Sequence, residues 1–174
     1  MTTLRESTLP DASPLGTALA GKYLTFSIGE ESYGIAVLKV REIIRMLEIT
    51  AVPQMPEYVR GVVNLRGKII PVIDLRRRFG MTEGNDADDR TCIIVVQALL
   101  TKGGSAVMGM VVDEVEEVVD IESGDVEATP DFGTRLRSDY ILGMSKVKGR
   151  IQTLLDIDRV ILADELIEEA ALAV

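Results

Sequence analysis

The sequence contains no histidine and no tryptophan, and Cys92 is the only cysteine in 174 residues. Without imidazole, the chain lacks the side chain that titrates near neutrality in many general acid/base and nucleophile-activating schemes. It also cannot accept a phosphoryl group on histidine. A single cysteine excludes an intramolecular disulfide bond, which suits a reducing compartment. We expect Cys92, inside an apolar run, to be a small core residue rather than a reactive thiol.

Long apolar runs and basic charge are also scarce. No run approaches the roughly 20 apolar residues that span a bilayer, and the opening MTTLRESTLPDASPLG is too polar for the core of a signal peptide. The chain has 19 Lys and Arg against 28 Asp and Glu, a net charge of −9, which argues against binding to nucleic acid. We therefore expect a soluble intracellular protein with no nucleic-acid partner and no direct membrane insertion.

The composition that remains is that of a folded domain. Hydrophobic residues make up 47% of the chain and aromatic residues only 4%, so Val, Ile, Leu and Met must fill the core. This excludes wholesale disorder. The length suits one domain of ordinary size.

Residues 60–80, RGVVNLRGKIIPVIDLRRRFG, form the densest apolar run and predict a strand, a tight turn and a second strand. β-branched residues suit a pleated surface, and Gly67 can adopt the positive φ of a short hairpin loop. Pro71 cannot donate to a ladder and marks an edge or a bulge. Arg66 stands at the tip, where its guanidinium either reaches a carboxylate of a neighbouring segment or is solvated.

Short strands and glycine turns recur along the rest of the chain. The patterns predict a hairpin over residues 22–37, a buried strand over 91–97, a last hairpin over 140–157 and a helix with Asp158 as its N-cap. Residues 107–121 place valines at helical spacing, but β-branching favours a strand with a bend or bulge near Asp113 or Glu116. Such strands imply antiparallel sheets that close or curl to protect their edges.

An acidic loop invites a calcium interpretation, because Asp86, Asp88 and Asp89 alternate in the way oxygen ligands do. The EF-hand template requires a glycine at its sixth position and a glutamate at its twelfth. Counted from Asp86, those positions hold Thr91 and Gln97. A solvated loop is therefore the favoured interpretation.

A second acidic cluster comprises Asp113, Glu114, Glu116 and Glu117. An enzyme built on a β-barrel with carboxylate catalysis would need two of these acids paired in a pocket with shifted pKa values. With no histidine, and with nothing in the sequence that sets their separation, we expect these side chains to face solvent.

The string GVVNLRGKIIPVIDLRRRFG resembles the central motif of the CheW family of bacterial chemotaxis coupling proteins, and SYGIAVLKVREII resembles the family's early segment. The similarity runs from Tyr23 to Ala163 with both motifs in the expected order. It implies a mainly β fold of two intertwined SH3-like five-stranded β-barrels with short helices, a C-terminal helix and an apolar groove between the barrels. Together with the lack of periodicity in residues 1–20 and the helical pattern from Asp158 onwards, it predicts a mobile N-terminal arm (1–20), a CheW-like domain of two barrel subdomains (21–163) and a C-terminal helical tail (164–174).

The resemblance also implies a function. The expected protein is an adaptor with no catalysis, no cofactor and no metal. Its partners would be the cytoplasmic hairpin tip of a methyl-accepting chemoreceptor and the regulatory domain of the histidine kinase CheA. It would lie in the cytoplasm, recruited to membrane-bound receptor arrays. The nearest alternative is a coupler of a different receptor-kinase pathway, such as surface motility.

Site residues carry over by matching motif, and we expect Glu42 and Arg66 to pair across the rim of the groove. The expected receptor-binding groove comprises Val40, Glu42, Ile43 and Arg66, with Val112 and Val115 in its other wall, and the expected structural turn residues are Gly61, Asn64 and Gly67.

Overall fold

A computed structural model describes residues 14–81, 88–100, 103–128 and 138–162. The regular structure in these ranges is mainly β, with a few short helices. The strands are β1 (Gly21–Ile28), β2 (Glu31–Ala36), β3 (Val40–Arg45), β4 (Val59–Leu65), β5 (Lys68–Asp74), β6 (Cys92–Leu99), β7 (Ser105–Val112), β8 (Glu114–Ile121), β9 (Val126–Glu127), β10 (Ile141–Val147) and β11 (Arg150–Leu155). The helices are α1 (Pro14–Leu19), α2 (Leu75–Arg78) and α3 (Ile157–Leu162).

The strands form two sheets that exchange chain segments. The first sheet has the order β8-β1-β2-β11-β10-β9 and the second the order β3-β6-β7-β5-β4. The chain leaves the first sheet after β2, builds the second sheet and returns at β8, so the predicted mainly β fold of two intertwined units is confirmed. The expectation of five strands each holds for the second sheet. It is wrong for the first, because the two-residue strand β9 adds a sixth strand beside β10.

The structure describes only part of the two ends of the predicted division. Residues 14–19 of the expected arm form α1, and the Tyr23 hydroxyl donates to the carbonyl oxygen of Leu19 at 2.8 Å. The expected helical tail over residues 164–174 lies outside the described residues. The domain boundaries therefore stay a prediction.

The start of α3 also differs from the prediction. The helix begins at Ile157, and the carboxylate that caps it belongs to Asp156, which accepts the backbone N–H of Asp158 at 3.1 Å. The Asp158 carboxylate instead binds Lys39 Nζ at 2.8 Å and the backbone N–H of Leu99 at 2.9 Å. Asp158 therefore does not cap the helix as predicted. It fastens α3 to the β2–β3 crossover and to the end of β6.

The two sheets are built from matching segments. Residues 58–74 and 140–156 align without a gap, and each segment closes on a bond from aspartate N–H to tyrosine carbonyl. These bonds are Asp74 to Tyr58 at 2.7 Å and Asp156 to Tyr140 at 2.8 Å. Each segment also shifts register near the start of its first strand, β4 or β10. This agreement in local geometry indicates an internal structural repeat.

The repeat relates one sheet to the other. In the second sheet, Val72 of β5 lies opposite Gly109 of the parallel strand β7. In the first sheet, Leu154 of β11 lies opposite Gly34 of the parallel strand β2. The matching residues occupy matching positions, so an approximate internal twofold relation exchanges the sheets.

The largest core cluster lies between the sheets and is called here the inter-sheet core. It takes Leu24 and Phe26 from β1 and Ile94 and Val96 from β6, all at most 4% exposed. Because each side chain sits on a face shared by two sheets, this cluster holds the halves together by burial of apolar surface.

A β-bulge in β3 decides which residues face the inter-sheet core. Val40 lies opposite Val96 and Ile43 opposite Ile94, so β3 advances three residues while β6 advances two, with Arg41 as the extra residue. Residues three apart in a regular strand would point to opposite faces. Because of the bulge, Val40 and Ile43 point to the same face.

β8 contains an equivalent β-bulge in the first sheet. Val115 lies opposite Phe26 and Val118 opposite Leu24, so here too three residues of one strand match two of its neighbour. The spacing of these valines therefore comes from a bulged strand, as predicted for residues 107–121, and not from a helix. The predicted bend near Asp113 is the single residue between β7 and β8.

A buried threonine satisfies the ladder at the β8 bulge. Thr25 is fully buried, and its Oγ1 both donates to the carbonyl oxygen of Glu117 at 2.9 Å and accepts the Glu117 N–H at 3.2 Å. A bulge leaves backbone groups without a strand partner. Here one hydroxyl serves both of them.

The interior of the first sheet contains the opposite case. Ser145 and Gln152 occupy the positions that Val63 and Ile70 occupy in the second sheet, and they are 2% and 3% exposed. Ser145 Oγ and Gln152 Oε1 have no hydrogen-bond partner in the part of the chain that the structure describes. A buried oxygen without a partner keeps the cost of its desolvation.

These two hydroxyls make a matched test. The Thr25→Val variant keeps the side-chain shape but leaves two backbone groups without a hydrogen-bond partner. We expect it to lower the free energy of unfolding by about 1–3 kcal/mol. Ser145→Ala removes an oxygen without a partner, and we expect it to raise the free energy of unfolding by about 1 kcal/mol. Urea unfolding of both variants measures the difference, and equal losses in the two would contradict this assignment.

Candidate functional site

The Arg66 side chain forms a two-pronged ion pair with Glu42. Arg66 Nη1 donates to Glu42 Oε1 at 3.2 Å, and Nη2 donates to Oε2. The pair joins the tip of the β4–β5 hairpin to β3. The two outer strands of the second sheet, β3 and β4, are thereby linked at this end. Of the two alternatives for the turn arginine, the structure has the one in which it reaches a carboxylate. The expected pairing of Glu42 with Arg66 is present, and its place at the rim of a receptor groove stays a prediction.

The hairpin geometry explains why the arginine reaches that far. Arg66 and Gly67 both have positive φ, 52° and 86°, as a two-residue hairpin turn requires. Asn64 Oδ1 accepts the Gly67 N–H at 2.8 Å and fixes the turn from one side. The predicted structural roles of Asn64 and Gly67 are visible in these contacts.

Gly61 is required for a different reason. Its φ is 141°, and a Cβ at this position would lie 2.0 Å from the carbonyl oxygen of Thr50. Thr50 and Val62 exchange two backbone hydrogen bonds of 2.9 Å. A side chain at Gly61 would therefore push the segment around Thr50 away from the sheet.

One wall of the candidate groove, here the β3 wall, is formed by Val40 and Ile43. Both point to the inter-sheet face because of the bulge, and Val40 packs against the inter-sheet core. Ile43 is 45% exposed. This side chain therefore extends the apolar surface of the inter-sheet core to solvent.

The opposite wall, here the β8 wall, contains a residue that the sequence did not single out. Val115 packs against the inter-sheet core, and Val118 is 54% exposed at the position equivalent to Ile43. The similarity of VREII over residues 40–44 to VEEVV over residues 115–119 was a signal for it. That similarity carries information only once the bulges are known.

Val112 does not belong to the accessible surface. It is 1% exposed and lies within the inter-sheet core. A partner in the groove would not touch this side chain, so we omit Val112 from the proposed contact surface.

The acidic cluster before and within β8 is divided among separate ion pairs. Asp113 pairs with Arg76, and the other three pairs are Glu114 with Arg90 at 3.6 Å, Glu116 with Arg150 at 2.9 Å and Glu117 with Lys148 at 3.4 Å. The expectation that these side chains simply face solvent is therefore incomplete. Each carboxylate binds a cation from another segment, which is not the arrangement of two acids sharing one pocket.

Neither a metal nor a reactive thiol emerges from the described part of the chain. Over those ranges, no group of three or more acidic or thiol side chains is placed to hold a metal ion. Asp86 of the acidic loop lies outside them.

Burial raises the pKa of the half-buried Cys92 thiol, which keeps it protonated and matches its assignment as a small packing residue. None of the helices in these ranges is long and apolar enough to cross a bilayer.

A family model described as the CheW-like domain matches residues 22–165. The chain belongs to the CheW family. Chemotaxis protein CheW of Klebsiella aerogenes is 34% identical over 151 residues, which is 87% of each chain. Chemotaxis protein CheW of Thermotoga maritima is 33% identical over 141 residues, 79% of this chain and 85% of the relative.

A solved CheW structure agrees with the fold. The crystal structure of scaffolding protein TtCheW from Thermoanaerobacter tengcongensis matches with a TM-score of 0.71 and 31% identity, covering 82% of this chain and 88% of that one. This CheW family chain is therefore a chemotaxis coupling adaptor, and its fold is that of a scaffold.

In this CheW family chain, the Glu42–Arg66 ion pair affects the pKa of the Glu42 carboxyl. The hydrogen bonds from Arg66 lower the pKa of the Glu42 carboxyl below its ordinary value, and the charge of Arg41 adds a smaller effect in the same direction. A carboxyl whose pKa is depressed by folding adds stability above its unfolded pKa and loses it as the pH falls through the folded pKa.

We expect Arg66→Ala to return the pKa of Glu42 towards its ordinary value, because the main cause of the depression is removed. Arg41→Ala serves as the control and should raise this pKa by less. An NMR titration of the Glu42 side-chain carboxyl measures both shifts. A larger rise in the Arg41 variant would show that the pair does not govern this carboxyl.

Proposed function

We propose that this chain couples the hairpin tip of a chemoreceptor to the regulatory domain of the histidine kinase CheA, and that the groove between the β3 wall and the β8 wall receives the receptor. The proposal rests on one observation above all. Ile43 and Val118 are exposed at matching positions beside the inter-sheet core. The apolar surface between them has the composition that binds an amphipathic helix.

The rim of this surface is polar and pre-formed. The Glu42–Arg66 pair lies beside the β3 wall and the Glu117–Lys148 pair beside the β8 wall. An apolar centre with a charged rim is the usual anatomy of a protein interface. Exposed ion pairs add little to stability because water and salt screen them, and the proposed role of these two pairs is to position the outer strands and the hairpin tips.

The mechanism is scaffolding. The adaptor performs no chemistry on either partner. By holding the kinase regulatory domain and the receptor tip together, it lets a change in receptor conformation shift the population of active kinase. In the cell the adaptor would be cytoplasmic and recruited to membrane-bound receptor arrays through these two contacts.

The apolar centre is tested by Ile43→Asp. We expect the affinity for a purified receptor hairpin-tip fragment to fall at least tenfold, because a carboxylate would be desolvated against the partner. Leu99→Asp is the matched control, since Leu99 is also exposed, at 56%, but lies at the far end of β6 near the β6–β7 turn. Isothermal titration calorimetry with both variants decides, and equal affinities for the two would place the receptor elsewhere.

The rim is tested by a charge swap. We expect Glu42→Arg and Arg66→Glu to weaken receptor binding when made singly, because each leaves two like charges side by side. The double variant should recover binding relative to either single variant, because the pair is re-formed with reversed polarity. No recovery in a pull-down with the receptor fragment would show that the pair does not shape the groove.

A further inference from the structure

The two walls of the groove have equivalent backbones. Residues 33–44, YGIAVLKVREII, align without a gap with residues 108–119, MGMVVDEVEEVV. The alignment matches Val40 with Val115 and Ile43 with Val118, and both pairs follow the same bulge register. The apolar surface of the groove is therefore approximately symmetric under the internal twofold relation.

The ion pairs obey the same relation. Lys148 and Gly149 form a turn with φ of 55° and 78°, close to the 52° and 86° of Arg66 and Gly67. Lys148 reaches Glu117, the equivalent of Glu42, at 3.4 Å. Each wall thus has one glutamate held by the cation of one hairpin tip.

Charge breaks the symmetry further along each wall. Arg45 is two residues beyond Ile43, and Asp120 is two residues beyond Val118, so both lie on the groove side of their strands. Arg45 stands opposite the uncharged Cys92. Asp120 stands opposite Lys22 and binds its Nζ at 2.8 Å.

The two cross-strand pairs on the groove side therefore differ in charge. Arg45 with Cys92 has a net charge of +1 beside the β3 wall, and Asp120 with Lys22 has a net charge of 0 beside the β8 wall.

We propose that this difference in charge fixes the orientation of the bound hairpin tip, so that its more acidic helix lies on the β3 wall. Two antiparallel helices are themselves related by an approximate twofold axis. Apolar contacts with a symmetric groove would therefore accept the tip in two orientations of similar energy. Specificity requires a difference between these orientations, and the charges of the walls supply it. The inference rests on the proposed receptor binding.

Orientation is measured directly with a nitroxide label on one helix of the receptor fragment. Its paramagnetic broadening reports by NMR whether that helix lies near the amides of β3 or of β8. We expect at least a fivefold excess of the orientation that places the more acidic helix beside β3 at low ionic strength. Because salt screens exposed charges, the ratio of the two orientations should fall towards one at 1 M salt. Equal broadening of both walls at low salt, or an excess that salt does not change, would overturn the inference.

A charge exchange between the walls gives the second arm. Arg45→Asp with Asp120→Arg keeps the net charge of the chain but changes the charges of the Arg45/Cys92 and Asp120/Lys22 pairs from +1 and 0 to −1 and +2. We expect the broadening to move to the other wall. The control is Lys22→Asp with Asp120→Lys, which reverses the ion pair within the β8 wall and leaves both net charges unchanged. This variant should keep the original orientation.

The outcomes separate the two proposals. If the fragment fails to bind the unmodified chain, the proposed receptor binding is wrong. If it binds with one orientation that the charge exchange does not alter, receptor binding stands and the charge-based orientation is wrong.

Discussion

The candidate site depends on the two β-bulges beside the inter-sheet core. Without the extra residue in β3, Val40 and Ile43 would point to opposite faces of the second sheet, and one of them would leave the groove. The same holds for Val115 and Val118 in β8. Thr25 shows how firmly one bulge is held, because its buried hydroxyl satisfies both backbone groups of the residue opposite. The proposed binding surface therefore depends on the register of the two bulged strands.

The internal repeat explains how a small chain forms the two matching walls of the proposed groove. Each crossover, after β2 and after β7, delivers a bulged strand to the sheet on the other side. The same backbone arrangement thus occurs twice. Asp158 of α3 binds Lys39 in the first crossover, and Asp113 in the second crossover pairs with Arg76 of α2. Where the halves differ is in side-chain chemistry. In the first sheet, the polar residues Ser145 and Gln152 replace the aliphatic interior of the second sheet. Beyond the apolar residues of the two walls, Arg45 in β3 corresponds to Asp120 in β8.

Much of this architecture was open to prediction from local chemistry. The β4–β5 hairpin follows from Gly67 within a β-branched run, and the strands around Asp113 follow from valine despite their helical spacing. The site was predicted less completely, because exposure depends on sheet register. Val112 and Val118 are both valines of one segment, yet one is 1% and the other 54% exposed. The sixth strand of the first sheet depends on a tertiary contact between β9 and β10 that no local pattern encodes. Asp156 caps α3 by local bonds, whereas the carboxylate of Asp158 is engaged in tertiary contacts with Lys39 and Leu99.

The most direct test of the central claim is an NMR titration of the isotope-labelled chain with an unlabelled receptor hairpin-tip fragment. The methyl signals of Val40, Ile43, Val115 and Val118 should shift together and with one dissociation constant, because the bulges bring all four to one surface. The methyl signal of Leu99, at the far end of β6, should stay in place. Shifts confined to one wall, or a response at Leu99 with none in the groove, would contradict the account.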